Sequence, residues 1–321
     1  MKIATWMQAA EQRCGFVNEG EVFALPPGAT ALDVVRGGLD AAIPLGRERI
    51  QQGDAVALRD VRLLPPLAPP TVRDFVTFEE HVEGIVKSAA GGDPGVPAQW
   101  YKAPTFYFTN PHTLKASGEL ISAPWGEKAL DFELEVAAIV GAVPGSEGRS
   151  LTPEEASEHI FGYTIFNDWS ARDLQYREMQ VNLGPCKGKD FASTLGPWIV
   201  TADEFAGRHD EDGFLQISAS VSINGEVFGR DDTSHMGWSF ADLIAYASRS
   251  SRVVSGDVLA SGTAGHGCLA EIWGRAGERV PHPLQAGDVV RMDVEGIGYI
   301  ENELAESVPT PPIRQARPRR G

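Results

Sequence analysis

Apolar and polar positions change rhythm along the chain, and the changes mark its parts. Through about residue 65, KIATW, CGFV and EVFAL are short apolar runs separated by polar residues or glycine, which predicts brief strands and turns. The stretch TALDVVR predicts a short helix, with Thr30 as its cap and Asp33 three residues on. Pro65, Pro66, Pro69 and Pro70 then favour extended chain over helix, so a boundary is placed at residue 68. From Arg73 to Ser88 the apolar positions Phe75, Phe78, Val82 and Ile85 or Val86 recur at helical spacing and predict one amphipathic helix. GGDPGVP, 91–97, reads as a loop. From about residue 130 the period shifts to strands: DFELEVAAIVG, FGYTIFND, PWIVT, LQISASVSING and DVVRMDVEGIG. Asn224-Gly225 is a strong hairpin signal. Two helices interrupt, Ser170 to Gln180 and Ser239 to Ser248. Many short strands with few helices predict an α+β, β-rich sandwich or roll, with a small N-terminal α/β subdomain over 1–68 and the main domain over 69–306. Residues 307–321 carry four prolines and four arginines and read as a solvated tail.

Charge and cysteine usage narrow the function classes. A formal net charge of −16 disfavours phosphate backbones and anionic membranes, so neither nucleic acid nor a membrane is expected as a partner. A small acidic substrate then needs a local positive centre, such as a metal ion. Cys14, Cys186 and Cys268 are far apart and include no CxxC pair, which argues against a disulfide framework or a thiolate zinc site. The N-terminus lacks a secretory apolar core, and no run of about 18 apolar residues occurs. A cytoplasmic setting is expected.

Several positions carry chemistry, each with an ordinary alternative. In a strand Glu133 and Glu135 point the same way. On a solvated face this costs little; in a pocket the pair calls for a cation, and all-oxygen ligands suit magnesium, manganese or calcium. Asp168 ends a strand where the next helix begins, with Ser170 as its expected cap. On that helix Arg172, Gln175 and Tyr176 share one face, able to hold a carboxylate or carbonyl but equally an ordinary surface. Lys187 and Lys189 lie in a glycine-flanked loop that lacks phosphate-loop spacing; either is surface charge, or a counter-charge to the carboxylates. His81 sits alone inside EEHVE, where a structural role is the commoner one. GTAGHG, with Thr263, is an ordinary glycine turn or a carboxylate nest. Glu271, in LAEIW, is either a buried acid that needs a partner or an exposed edge position.

Taken in order, RDF with a histidine at 81, DFELE, FNDWSARD with Gln175, the GK at 188–189, LASGT and the glutamate at 271 resemble the fumarylacetoacetate hydrolase family from about residue 70 to 300. The resemblance implies that family's mixed β-sandwich roll. It implies Asp74, Glu133, Glu135 and Asp168 as metal ligands, and His81 with Glu271 as a water-activating dyad. Lys189, Gln175 and Arg172 would stand around the reacting oxygen and substrate, with Thr263, Tyr107 and Tyr176 as substrate contacts. Val76 replaces a tyrosine that some members carry, a departure that bears on substrate identity. The implied activity is magnesium-dependent hydrolysis of a carbon–carbon bond in a small 1,3-diketone or acylpyruvate, in a homodimer, with manganese or calcium as alternative ions. Relatives that decarboxylate 2-oxo acids or isomerise unsaturated dicarboxylates are the nearest alternatives. A non-catalytic ligand-binding module fits less well, because dyad and acids are both present.

Overall fold

The computed structural model describes residues 1–90 and 95–319, so positions 91–94 of the loop expected at 91–97 lie outside the described residues. A twelve-stranded sheet forms the centre. Its main path runs Ala55–Ala57, Glu21–Ala24, Glu11–Asn18, Lys2–Gln8, Ser193–Thr201, Ile160–Asp168, Leu134–Val140, Val258–Ala260, Val72–Phe75 and Phe106–Thr109. Neighbours along this path are antiparallel except Val72–Phe75, which runs parallel to Val258–Ala260. A five-stranded sheet of Glu226–Asp232, Ser218–Ile223, Val289–Val294, Gly298–Ala305 and Ile121–Ser122 packs against it.

The Leu134–Val140 strand is buried along its whole length because both of its faces are covered. Val136, Ala138 and Val140 join Val221, Met292 and Ile300 in one apolar core. Ala137 and Ile139 point the other way and meet Ile3, Phe16 and Val35. The chain is therefore the β-rich mixed fold expected. The expected N-terminal strands form, and Lys2–Gln8 pairs with Ser193–Thr201, so the N-terminal strands extend the central sheet.

Seven α-helices occur among the described residues: α1 (Ala31–Gly37), α2 (Leu39–Gln52), α3 (Glu79–Ala90), α4 (Pro153–Glu158), α5 (Arg172–Met179), α6 (Phe240–Ser248) and α7 (Leu269–Ala276). Thr30 and Asp33 make the expected capping box on α1, and Ser239 with Asp242 makes another on α6. Asn224-Gly225 turns the hairpin, both residues at positive φ. α2 was not foreseen. It contains Pro44 and Gly46, poor helix formers, but a Cβ at Gly46 would lie 2.9 Å from the Phe16 ring, so the glycine allows close packing.

Two expected helices change shape. The Arg73–Ser88 stretch divides into a strand, Val72–Phe75, and a helix that starts at Glu79. The strand is wholly buried and paired on both sides, and this tertiary pairing overrides the helical spacing. The helix expected from Ser170 begins at Arg172, capped by Ala171 without a side-chain bond. Ser170 and Ala171 pair instead with Leu130 and Asp131. The Ser170 hydroxyl donates to the Asp168 carbonyl and accepts from Lys189, which removes it from capping.

Candidate active site

Strand ends bring the acids together. Asp74 lies near the end of Val72–Phe75, Asp168 closes Ile160–Asp168, and Glu133 and Glu135 flank the start of Leu134–Val140. All four are buried. One carboxylate oxygen each from Asp74, Glu133 and Asp168 lies within 4.8 Å of the others. Glu135 stands beside Asp74 and accepts from the Gly262 amide at 3.0 Å. Tyr107, paired with Asp74 across neighbouring strands, turns its hydroxyl into the same cluster. That hydroxyl lies 2.8 Å from Asp74 Oδ2 and also contacts Asp168 Oδ2; having one proton, it donates to one at a time.

Two cations adjoin the acids. Lys189 is buried, and its ammonium reaches Glu133 Oε2 at 2.5 Å, Asp168 Oδ2 at 2.7 Å and Ser170 Oγ at 2.7 Å. All three of its donors are thereby engaged, so its role in this geometry is charge balance. Lys187 is exposed and pairs with Asp190. Arg172 reaches Glu133 Oε1 at 2.8 Å and Asp131 Oδ2 at 2.7 Å. With Arg172 offset by Asp131, four carboxylates face the single charge of Lys189.

The titration of the cluster follows from this imbalance. Burial, then the Asp168 charge, pushes Asp74 well above the ordinary carboxylate range. Burial, then Asp74 and Glu133, pushes Glu135 up in the same way. Burial raises Asp168 despite the nearby Lys189. Glu133 is the exception: burial opposes its ionisation, but Lys189 and Arg172 outweigh burial and hold it at about 2. Asp74 Oδ1 and Glu135 Oε1 are buried without a hydrogen-bond partner. Orphaned carboxylate oxygens in an all-oxygen, over-negative cluster fit a hard divalent cation, and Asp74, Glu133, Glu135 and Asp168 are the residues that would hold it.

Beside the acids, α3 and α7 pack together and bring His81 to Glu271. Both are buried, which selects the buried reading for Glu271 over the edge-strand one. His81 Nδ1 lies 3.8 Å from Glu271 Oε2, longer than a formed hydrogen bond but within reach of a small closure. Glu271 is itself fixed by the His266 amide at 2.9 Å and the Arg275 guanidinium at 2.8 Å. A ring nitrogen of His81 lies within 4.8 Å of a Glu133 oxygen, so the dyad adjoins the acids.

The other expected contacts are less uniform. Gln175 accepts from Arg172 at 3.1 Å, which leaves its amide group to donate. Thr263 is buried in the loop whose Gly262 amide serves Glu135. Tyr176 is 59% exposed, outside the buried cluster. Asp131 was missed by the sequence reasoning. Its Oδ1 accepts from the Phe132 and Leu269 amides, both at 2.8 Å. Its Oδ2 accepts from the Ala270 amide at 2.9 Å and from Arg172. It thus caps α7 and clamps Arg172 with one side chain. The available signal was spacing, since Asp131, Glu133 and Glu135 continue one i, i+2 series.

The site is thus a sheet-built cluster of carboxylates beside a histidine–glutamate pair. The fumarylacetoacetate (FAA) hydrolase C-terminal family matches residues 71–305, and the chain belongs to that family. It is 30% identical over 256 residues to the fumarylacetoacetase of Arabidopsis thaliana, covering 66% of this chain and 60% of that protein. The chain thus spans about three fifths of that relative's length. Among solved structures, a fumarylacetoacetate hydrolase from psychrophilic Exiguobacterium antarcticum superposes with a TM-score of 0.72 at 28% identity, covering 95% of this chain and 99% of that one. A maleylpyruvate hydrolase from Sphingobium sp. SYK-6, solved with manganese(II) and pyruvate, shares the fold with a TM-score of 0.70 at 20% identity, over 96% of this chain and 100% of that one. Among the described residues no helix is long and apolar enough to cross a membrane.

Proposed function

We propose that this enzyme of the fumarylacetoacetate hydrolase family cleaves a carbon–carbon bond in a small 1,3-diketone or acylpyruvate with the help of a divalent cation, magnesium or manganese. The observation that carries the reading is the over-negative, buried four-carboxylate cluster lying against His81 and Glu271. Residues 69–306 carry the chemistry in this reading, residues 1–68 extend the central sheet, and 307–321 form a tail. Asp74, Glu133, Glu135 and Asp168 would hold the cation, which would supply Lewis acidity to the substrate.

The chain's own groups do the rest. Nδ1 of His81 faces Glu271, so Nε2 is the atom that takes a proton from water. The water oxygen bonds to one carbonyl carbon. The adjacent carbon–carbon bond then breaks, its electron pair leaves with the departing carbon, and His81 returns the proton to that carbon. In this reading the Gln175 amide, whose oxygen is held by Arg172, donates to the oxygen on which charge builds. Lys189 holds Glu133 ionised and offsets part of the charge of Asp168.

The decisive test is turnover of acylpyruvates, cyclic 1,3-diketones and oxaloacetate, with magnesium, with manganese and with chelator. Hydrolysis gives two fragments, one carrying oxygen from labelled water. Release of carbon dioxide, or a product of unchanged mass, points instead to decarboxylation or isomerisation. His81→Ala should stay folded and lose about 10²–10⁴-fold in kcat; near-normal turnover removes the histidine from its role. The same preparation, examined by light scattering, should behave as a homodimer.

A further inference from the structure

Cys268 is a buried free thiol that the proposed mechanism does not use. It occupies the N-cap position of α7, yet its side chain makes no capping bond, because Asp131 already accepts from the Leu269 and Ala270 amides. Its sulfur instead turns to His81 and lies 3.7 Å from Nδ1. A ligand oxygen of Glu133 completes the group, with all three ligand atoms within 4.8 Å of one another.

We propose that His81, Cys268 and Glu133 form a second metal site, for a borderline-soft divalent cation of the zinc class, which overlaps the acidic cluster through Glu133. The spacing matches the chemistry. Zinc bonds of about 2.3 Å to sulfur and 2.0–2.1 Å to nitrogen, at a tetrahedral angle, separate the two ligand atoms by roughly 3.6 Å. The donor sets also sort by ion: four carboxylates suit magnesium or manganese, whereas imidazole, thiolate and one carboxylate suit zinc or cobalt. When such an ion binds, the Cys268 sulfur bonds to it and the thiol proton passes to solvent. The ion then occupies the nitrogen that faces Glu271 and shares Glu133 with the acidic site. The site itself does not depend on the reaction. That filling it stops turnover rests on the reading of His81 as the base.

Cobalt(II) tests occupancy without any assay of activity. Added to the metal-free full chain, it should give a near-ultraviolet thiolate-to-cobalt charge-transfer band. That band should vanish in Cys268→Ser, weaken in His81→Gln, and be lost on displacement by zinc. Cys268→Ala serves as a second thiol-free variant should the serine protein fold poorly. In magnesium-loaded enzyme, zinc should inhibit, and Cys268→Ser should need about tenfold or more zinc for the same effect while turning over normally without it. A cobalt complex of the wild type without the charge-transfer band overturns the site. So does zinc inhibition that is unchanged in Cys268→Ser and relieved by excess magnesium, which would place zinc in the acidic cluster. If no dicarbonyl is turned over, the functional reading fails and the cobalt band still decides the metal site.

Discussion

At the scale of single residues, the site depends on which charge each carboxylate meets. Asp131 meets Arg172 and the first amides of α7, and it is less than 1% exposed. Replacing it with asparagine keeps one acceptor oxygen but sets an amide against either the guanidinium or the helix amides. Removing one partner of a buried ion pair costs about 3–5 kcal/mol, so Asp131→Asn should lower the urea-unfolding free energy on that order. Because the same residue places both Glu271 and Arg172, kcat should fall as well. A variant within about 1 kcal/mol of wild type and fully active would show that neither contact matters. The sequence made some of this visible. The i, i+2 spacing put Glu133 and Glu135 on one side, and the strand-to-helix corner singled out Asp168. Asp74 and Tyr107 were reachable only through family resemblance, since nothing in RDF or FYF marks a carboxylate or phenol that meets Asp168 across the sheet. The pairing of His81 with Cys268 joins residues 187 positions apart, a distance that no local pattern spans.

At the scale of elements, the dyad is set by how closely two helices approach. Gly84 lies one turn beyond His81 on α3, and a Cβ there would sit 2.4 Å from Glu271 Cγ on α7. Helix propensity alone favours alanine over glycine by roughly 0.5–1 kcal/mol. The contact works against it, because so short a distance forces α3 away from α7. Gly84→Ala should therefore keep its helical circular dichroism yet lose turnover by about tenfold or more, as His81 and Glu271 separate. Unchanged kcat would mean that the helices accommodate the methyl group without parting the dyad. The need for glycine here could not be read from EEHVEGIVKS, because it arises from a partner helix almost two hundred residues away. The same limit explains the Arg73–Ser88 stretch. Its periodicity was real for Phe78 onward, but the preceding residues are claimed by pairing with Val258–Ala260 and Phe106–Thr109, and that pairing carries Asp74 into the site.

At the scale of the whole molecule, the buried acids couple stability to pH and to metal. Asp74, Glu135 and Asp168 are raised by burial and by neighbouring carboxylates, Glu133 among them, so the metal-free folded chain holds their protons to higher pH than the unfolded chain does. Their contribution to stability is full below the ordinary carboxylate values and is lost as pH rises through the raised ones. Glu133, held at about 2, acts in the opposite sense: its contribution is present above the ordinary value of 4.5 and is lost as pH falls toward 2. Between about pH 5 and pH 8 the three raised acids dominate, because Glu133 is ionised in both states throughout that range. The melting temperature of chelator-treated protein should therefore fall across this interval. Saturating magnesium or manganese binds the ionised cluster of the folded chain, so the gain in melting temperature on adding metal should grow from about pH 5 to about pH 8. Glu135→Gln removes one of the three raised acids and should flatten the metal-free slope without altering the direction of the metal effect. A metal-induced gain of equal size at both pH values would mean that the acids are already ionised in the metal-free fold, and that the positive charge of Lys189 and Arg172 suffices to hold them so.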